Sequence, residues 1–171
     1  MTSMESKRIE GFPPVLGSQP KVLVLGSMPS VLSLEKAEYY GNPQNRFWQI
    51  MNHFAQREGH PQLSDYKQRL EFLKQHHIAL WDVVGSCVRR GSSDAMIREV
   101  KVNAIDKLLL QNPGITFVFA NGQSAGKLLL KHFESLKPLL TILPSTSPAN
   151  AKFTLPALIC AWNCVWTIAN S

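Results

Sequence analysis

The side chains of this chain that could do chemistry gather in a few short polar pieces. GSMPS, Gly26 to Ser30, follows the apolar run Val22 to Leu25; YYGNPQN spans Tyr39 to Asn45; Asp82 sits inside IALWDVV; Asn121 comes directly after ITFVFA; and PSTSPAN, Pro144 to Asn150, follows Leu139 to Leu143. Together they offer amides, hydroxyls, one carboxylate and aromatic faces. Such a set recognises a planar heterocycle, by stacking on its rings and by hydrogen bonds along its edge. Bond cleavage by it has to rest on electrostatic stabilisation and on a positioned water.

Other chemistries lack their residues. No His, Cys or carboxylate cluster has metal-ligand spacing in these pieces, there is no GxSxG elbow or Cys–His pair, and Gly122 to Lys127 does not fit GxxxxGK[ST]. Three cysteines, Cys87, Cys160 and Cys164, form no CxxC pair, against a disulfide framework and against a four-thiolate site. Neither a metal nor a cofactor is expected. Lys plus Arg number 18 against 12 Asp plus Glu, a net charge of +6 that attracts a polyanion such as nucleic acid. Gly85 to Asp94, GSCVRRGSSD, reads either as a solvated surface loop or as a loop whose Arg89 and Arg90 contact phosphate. The N-terminus, MTSMESKRIEGFPP, has no apolar core of a signal segment, and no apolar stretch is long enough to span a bilayer. A cytoplasmic protein is expected.

The elements that must position these groups follow from pattern. Residues 1–20, polar with Pro13, Pro14 and Pro20, read as a loosely ordered lead-in from which Phe12, Val15 and Leu16 could dock; residues 21–171 read as a single domain. Lys21 to Leu25 is the first strand. Asn42 with Pro43 after it reads as a helix start. Phe47, Ile50, Met51 and Phe54 then space one buried helical face, leaving Asn45 and Arg46 in the first turn and off that face. A second helix begins near Ser64 as cap and carries Tyr66, Leu70, Leu73 and His77. Ile78 to Val84 reads as a buried strand in which Asp82 needs a partner. Helix Asn103 to Gln111, with Asn103 as cap, strand Ile115 to Ala120, helix Ser124 to His132, strand Leu139 to Leu143 and helix Leu155 to Ala169 complete the chain. Alternating strands and helices predict an α/β fold with a parallel sheet covered on both faces. The polar pieces then fall at the carboxyl ends of strands, where open α/β sheets bind ligands. Residue by residue, a structural role stays open: core tyrosines, a capping Asn45.

GSMPS, then YYGNPQNRFW, then LPSTSPAN, in that order and separation, resemble the uracil-DNA glycosylase superfamily. The resemblance is greatest to its hypoxanthine-DNA glycosylase branch (family 6, DNA-deoxyinosine glycosylases) and runs from about Lys21 to the C-terminus. It implies a three-layer α/β/α fold with a short four-stranded parallel sheet. It also implies monofunctional hydrolysis of the bond between a flipped, deaminated base and deoxyribose in base excision repair. The partner is then DNA containing deaminated bases, and an intracellular monomer is expected. Several branches carry Asp or Asn where this chain has Met28. The hypoxanthine branch instead uses an asparagine in its NPxN segment, which matches Asn45 as the catalytic residue. Tyr40 or Tyr39 would stack on the base, while Asn121, Asp82, Ser27, Met28 and backbone amides surround its edge. PSTSPAN matches the motif that presses into the minor groove. Ser145, Thr146, Ser147, Ala149, Asn150 and Lys152 are therefore expected on DNA, with Arg89 and Arg90 on its phosphates and no large apolar wedge among them. Uracil or a mismatched thymine derivative as the base, and a non-catalytic nucleic-acid-binding module, are the alternatives.

Overall fold

In the computed structural model, which describes residues 7–171, the fold is built on β2, Val22–Gly26, a strand with every residue buried. It pairs in parallel with β3 (Ile78–Asp82), Val22 opposite Ile78 and Gly26 opposite Asp82, and with β6 (Phe117–Asn121), Val22 opposite Phe117. β7 (Leu140–Leu143) lies parallel to β6 and completes a four-stranded sheet in the order β3-β2-β6-β7. A strand covered on both faces has no use for polar alternation, which is why VLVL reads as an unbroken apolar run.

Alternate residues of β2 feed two cores. Val22 and Val24 pack in the layer of α2 (Phe47–Arg57), α3 (Tyr66–Gln75) and α6 (Leu155–Ala169), against Phe47, Phe54, Phe72 and Trp162. Leu23 and Leu25 pack in the opposite layer, with Ile105 and Leu108 of α4 (Ile105–Gln111) and Leu129 of α5 (Gln123–His132). The parallel sheet covered on both faces that the alternation predicts, and the three-layer α/β/α fold that the resemblance implies, are both present. Phe47, Ile50, Met51 and Phe54 are all fully buried, each stabilising by roughly 1.5–3 kcal/mol, so packing rather than intrinsic propensity holds α2. Among the described residues no helix is long and apolar enough to cross a membrane.

Several local expectations are corrected. A second sheet, antiparallel, joins β1 (Arg8–Glu10), β4 (Val84–Val88) and β5 (Arg98–Val102) in the order β1-β4-β5. Much of GSCVRR is therefore strand, and the polar loop shrinks to residues 89–97, with a single 3-10 turn at Asp94–Met96. A partly exposed strand needs no long apolar run, so serine and glycine conceal β4 even though it is the central strand of this sheet. Residues 7–20 carry β1, and Val15 exchanges two backbone hydrogen bonds with Leu80 (2.8 and 3.0 Å) and is buried; residues 1–6 of the expected lead-in lie outside the described residues.

α1 (Val31–Lys36), capped by Ser30 accepting from Ser33 N–H, was hidden by its length, too short to display a helical period. α2 begins at Phe47 rather than at Pro43: Asn42 Oδ1 accepts from Gln44 N–H in a tight turn, the other conformation that asparagine favours. Asp65, not Ser64, caps α3, and Asn103 does not cap α4 but donates its side-chain amide to the Asp82 carbonyl at 2.8 Å.

Candidate functional site

The parallel register brings the carboxyl ends of all four strands side by side, at Gly26, Asp82, Asn121 and Leu143. A cleft of about 1030 Å³ opens there, walled by residues 26–30, Tyr40, Asn45, residues 92–95, residues 142–150 and Phe153, with Asp82 and Asn121 among its lining. Glycine is required twice on this rim. A Cβ on Gly26 would run into the Asp82 carboxylate, and Gly122, at φ +96°, would bring one to 3.0 Å from Ser145 Cβ.

One hydrogen-bonded relay joins three loops. Asn121 Nδ2 donates to Tyr40 Oη (3.1 Å) and to Thr146 Oγ1 (2.9 Å), while its Oδ1 accepts from Thr146 N–H (2.9 Å). Thr146 Oγ1 in turn donates to Asn45 Oδ1 at 2.8 Å, and the same oxygen accepts from Phe47 N–H at 3.0 Å. An amide oxygen offers two lone pairs, so that of Asn45 is fully engaged and the group left to act is its Nδ2. Asn45 is thus a donor in this site. Both N–H bonds of Asn121 are committed within the protein, where they hold Tyr40 and Thr146, while its Oδ1 accepts a single bond.

The two tyrosines part company. Tyr39 belongs to the cleft lining but is only 4% exposed, edge-on to Phe12 at 5.1 Å, with its hydroxyl donating to the Pro13 carbonyl at 2.8 Å, so most of its ring is held in the core. Tyr40, at φ +53°, lies stacked on Phe47 with centroids 4.2 Å apart, and its ring lines the cleft. Because its oxygen accepts from Asn121, its own O–H is free to donate. Burial, then the neighbouring Asp82, hold that hydroxyl well above the usual range, so it stays protonated. Phe153, half-buried on the opposite lining, is a second aromatic face that the sequence pattern did not mark.

Asp82 ends β3 on the cleft, only 4% exposed, with Oδ2 lacking any hydrogen-bond partner. Burial and the Asp94 carboxylate push its pKa up to about 7 against the opposing pull of Arg89. Met28 lines the cleft but packs with Val84 and Cys87, and Ser27 Oγ donates to Asp94 Oδ1 at 2.7 Å.

Of the residues expected on a polyanion, two turn inward. Arg89 is buried and its guanidinium donates to the Pro29 and Gly91 carbonyls, tying the 89–97 loop to GSMPS in place of contacting phosphate. Thr146 is fully buried in the relay. Asn150 donates to the Ser145 carbonyl, and Ser145 and Ser147 hydroxyls accept backbone N–H groups within the same loop. Ala149, Lys152 and Arg90 remain exposed. Arg46, left off the core face by the periodicity, clamps this loop by donating to the carbonyls of Ser147, Asn150 and Phe153, while its own N–H donates to Thr146 O. Its partners lie a hundred or more residues away, so only folding discloses that function. Among the described residues no three His, Cys, Asp or Glu side chains gather as a metal site.

Comparison with known proteins identifies the family to which this fold and sequence are similar. A family model described as the uracil DNA glycosylase superfamily matches residues 13–163. A protein of Methanosarcina acetivorans named hypoxanthine DNA glycosylase is 36% identical, over 84% of this chain and 89% of its own. One of the same name from Methanosarcina barkeri is 36% identical over 69% of this chain and 73% of its own. A solution NMR structure of a candidate uracil DNA glycosylase from M. acetivorans superposes with a TM-score of 0.80 at 32% identity, covering 96% of this chain and all of the other.

Proposed function

The chain belongs to the uracil DNA glycosylase superfamily and is a DNA N-glycosylase; from that premise we propose that it removes hypoxanthine from deoxyinosine in DNA, with Asn45 as its catalytic residue. The observation that supports the site assignment is the relay from Asn121 through Thr146 to Asn45, which leaves the amide nitrogen of a cleft-lining asparagine uncommitted, beside a cleft large enough for a purine nucleoside.

DNA reaches the cleft through its phosphates. Arg90 adjoins the 92–95 wall and Lys152 the 144–150 wall, both exposed, so association weakens with salt. The deaminated nucleotide rotates out of the stack, least expensively where its pairing is already poor. Its base lies against Tyr40, backed by Phe47. Asp82 and the Tyr40 hydroxyl meet its polar edge.

Asn45 Nδ2 donates to the oxygen of a water and thereby fixes it beneath C1′. A donor takes no proton from that water, so the water stays weakly nucleophilic and attack follows C–N cleavage, when the sugar has oxocarbenium character. This dependence on departure favours bases that leave readily. Hypoxanthine and uracil qualify better than adenine or cytosine.

Incubation with duplexes containing deoxyinosine, deoxyuridine or only normal bases, followed by alkaline cleavage, tests the reading. Abasic sites are expected first and fastest at deoxyinosine. Faster cleavage at deoxyuridine would move the assignment to uracil, and no cleavage of either would leave a binding protein.

A further inference from the structure

We propose that Asp82 enters the reaction as a neutral carboxyl group, donating its proton to the departing base as the C–N bond breaks. The inference rests on the glycosylase reading above and assigns the acid of that reaction.

Geometry carries it. Asp82 is almost wholly buried yet lines the cleft, and its carboxyl makes no hydrogen bond within the protein, Oδ2 being buried without a partner. Space for the carboxyl is made by Gly26, directly opposite in the parallel register, and the Asp82 carbonyl is pinned by Asn103. A buried carboxylate without a partner is costly, whereas a neutral carboxyl needs only an acceptor. A flipped hypoxanthine brings acceptors, at O6, N7 and N3.

The charged and titratable groups around Asp82 come from three sides. Tyr39 and Tyr40 face it from the loop after α1, Arg89 from the end of β4, and Asp94 from the 89–97 loop. Arg89 is already bound to the Pro29 and Gly91 carbonyls, and Asp94 to Ser27. The tyrosines are neutral, Gly26 and Asn103 are uncharged, and Asp94 opposes ionisation. Arg89 alone favours the carboxylate, and burial outweighs it, so the group is largely protonated below about pH 7.

An ionised Asp82 would point lone pairs at the acceptors of a base that is itself becoming an anion. The neutral form supplies a donor where that charge develops. The bonding pair of the C–N bond passes to the base nitrogen, the carboxyl proton passes to the base, and Asp82 is left as a carboxylate. Water adds its oxygen to C1′, and the proton it releases restores the carboxyl. One water is consumed and one protonated base leaves.

Single-turnover rates on deoxyinosine duplexes, measured from about pH 5.5 to about pH 9, test this. The wild-type rate is expected to fall about tenfold per pH unit above pH 7 while DNA affinity stays level. Asp82→Asn keeps a donor but has no proton to give. It should be slower by roughly 10²–10⁴-fold and show no such limb. A wild-type rate that rises through pH 7, or is flat, overturns the proposal without needing any variant, as does an Asp82→Asn enzyme with the same falling limb. Product formation with a flat profile sinks only this inference. Absence of abasic sites at every pH and every deaminated base sinks the glycosylase reading with it.

Discussion

Thr146 Oγ1 lies 2.8 Å from Asn45 Oδ1 and donates to it, and that bond, with the one from Phe47 N–H, leaves Nδ2 as the uncommitted end of the Asn45 amide. Asn45→Ala and Asn45→Asp should therefore fail alike. Each is expected to lose roughly 10²–10³-fold in single-turnover rate with little change in DNA affinity, because a carboxylate keeps both internal bonds but offers no donor. An Asn45→Asp enzyme as fast as wild type would show that the water needs an acceptor instead.

Thr146→Val retains the shape of the residue and removes the hydroxyl that links the two asparagines. Asn45 and Asn121 each lose a partner inside the protein, costing about 1–3 kcal/mol of stability in urea denaturation. The turnover rate should fall with it, and Thr146→Ser should recover both. Equal rates for Val and Ser would separate the relay from catalysis.

Gly122→Ala meets two obstacles, the positive φ and the approach to Ser145. The expected loss is about 1–3 kcal/mol of stability, read as a lower denaturation midpoint. Because Ser145 precedes Thr146, a slower single-turnover rate under native conditions should accompany it.

Asp82 also sets a pH dependence of stability. Its pKa rises on folding from 3.8 to about 7, so between those values the unfolded chain has released a proton that the folded one still holds. Stability is fully present below pH 3.8 and declines as pH climbs to about 7, by on the order of 4 kcal/mol. Asp82→Asn should melt higher than wild type above pH 7, with the gap closing toward pH 4. A gap that widens on acidification would contradict the sign.

The three basic residues near the cleft should separate by salt. Arg90→Ala and Lys152→Ala are each expected to reduce the slope of log affinity against log salt by about 1 and to leave folding unaffected. Arg89→Ala should leave the slope and destabilise the fold by about 1.5–3 kcal/mol, since its guanidinium holds carbonyls at Pro29 and Gly91. Fluorescence anisotropy across a salt series and thermal melting distinguish the outcomes.

What could be read from the amino-acid order was whatever depends on local pattern. The apolar runs that became β2, β3, β6 and β7, the buried face Phe47, Ile50, Met51, Phe54, and α6 over Leu155–Ala169 were legible, because burial imposes a period on the residues themselves. So was the clustering of polar groups at strand ends, and with it the candidate cleft. β5 went unread, because an edge strand of mixed exposure carries too weak a period to reveal itself or its partners. The division of labour among the polar residues belongs to tertiary structure. Tyr39 and Tyr40 are neighbours in the chain, yet Tyr39 is buried edge-on to Phe12 while Tyr40, at positive φ, stacks on Phe47. Arg89 and Arg90 differ likewise, one buried and one exposed. Asn45 and Thr146 are separated by 101 positions, and hydrogen-bond direction between groups so distant leaves no trace in local spacing: it exists only once the sheet has brought their loops together.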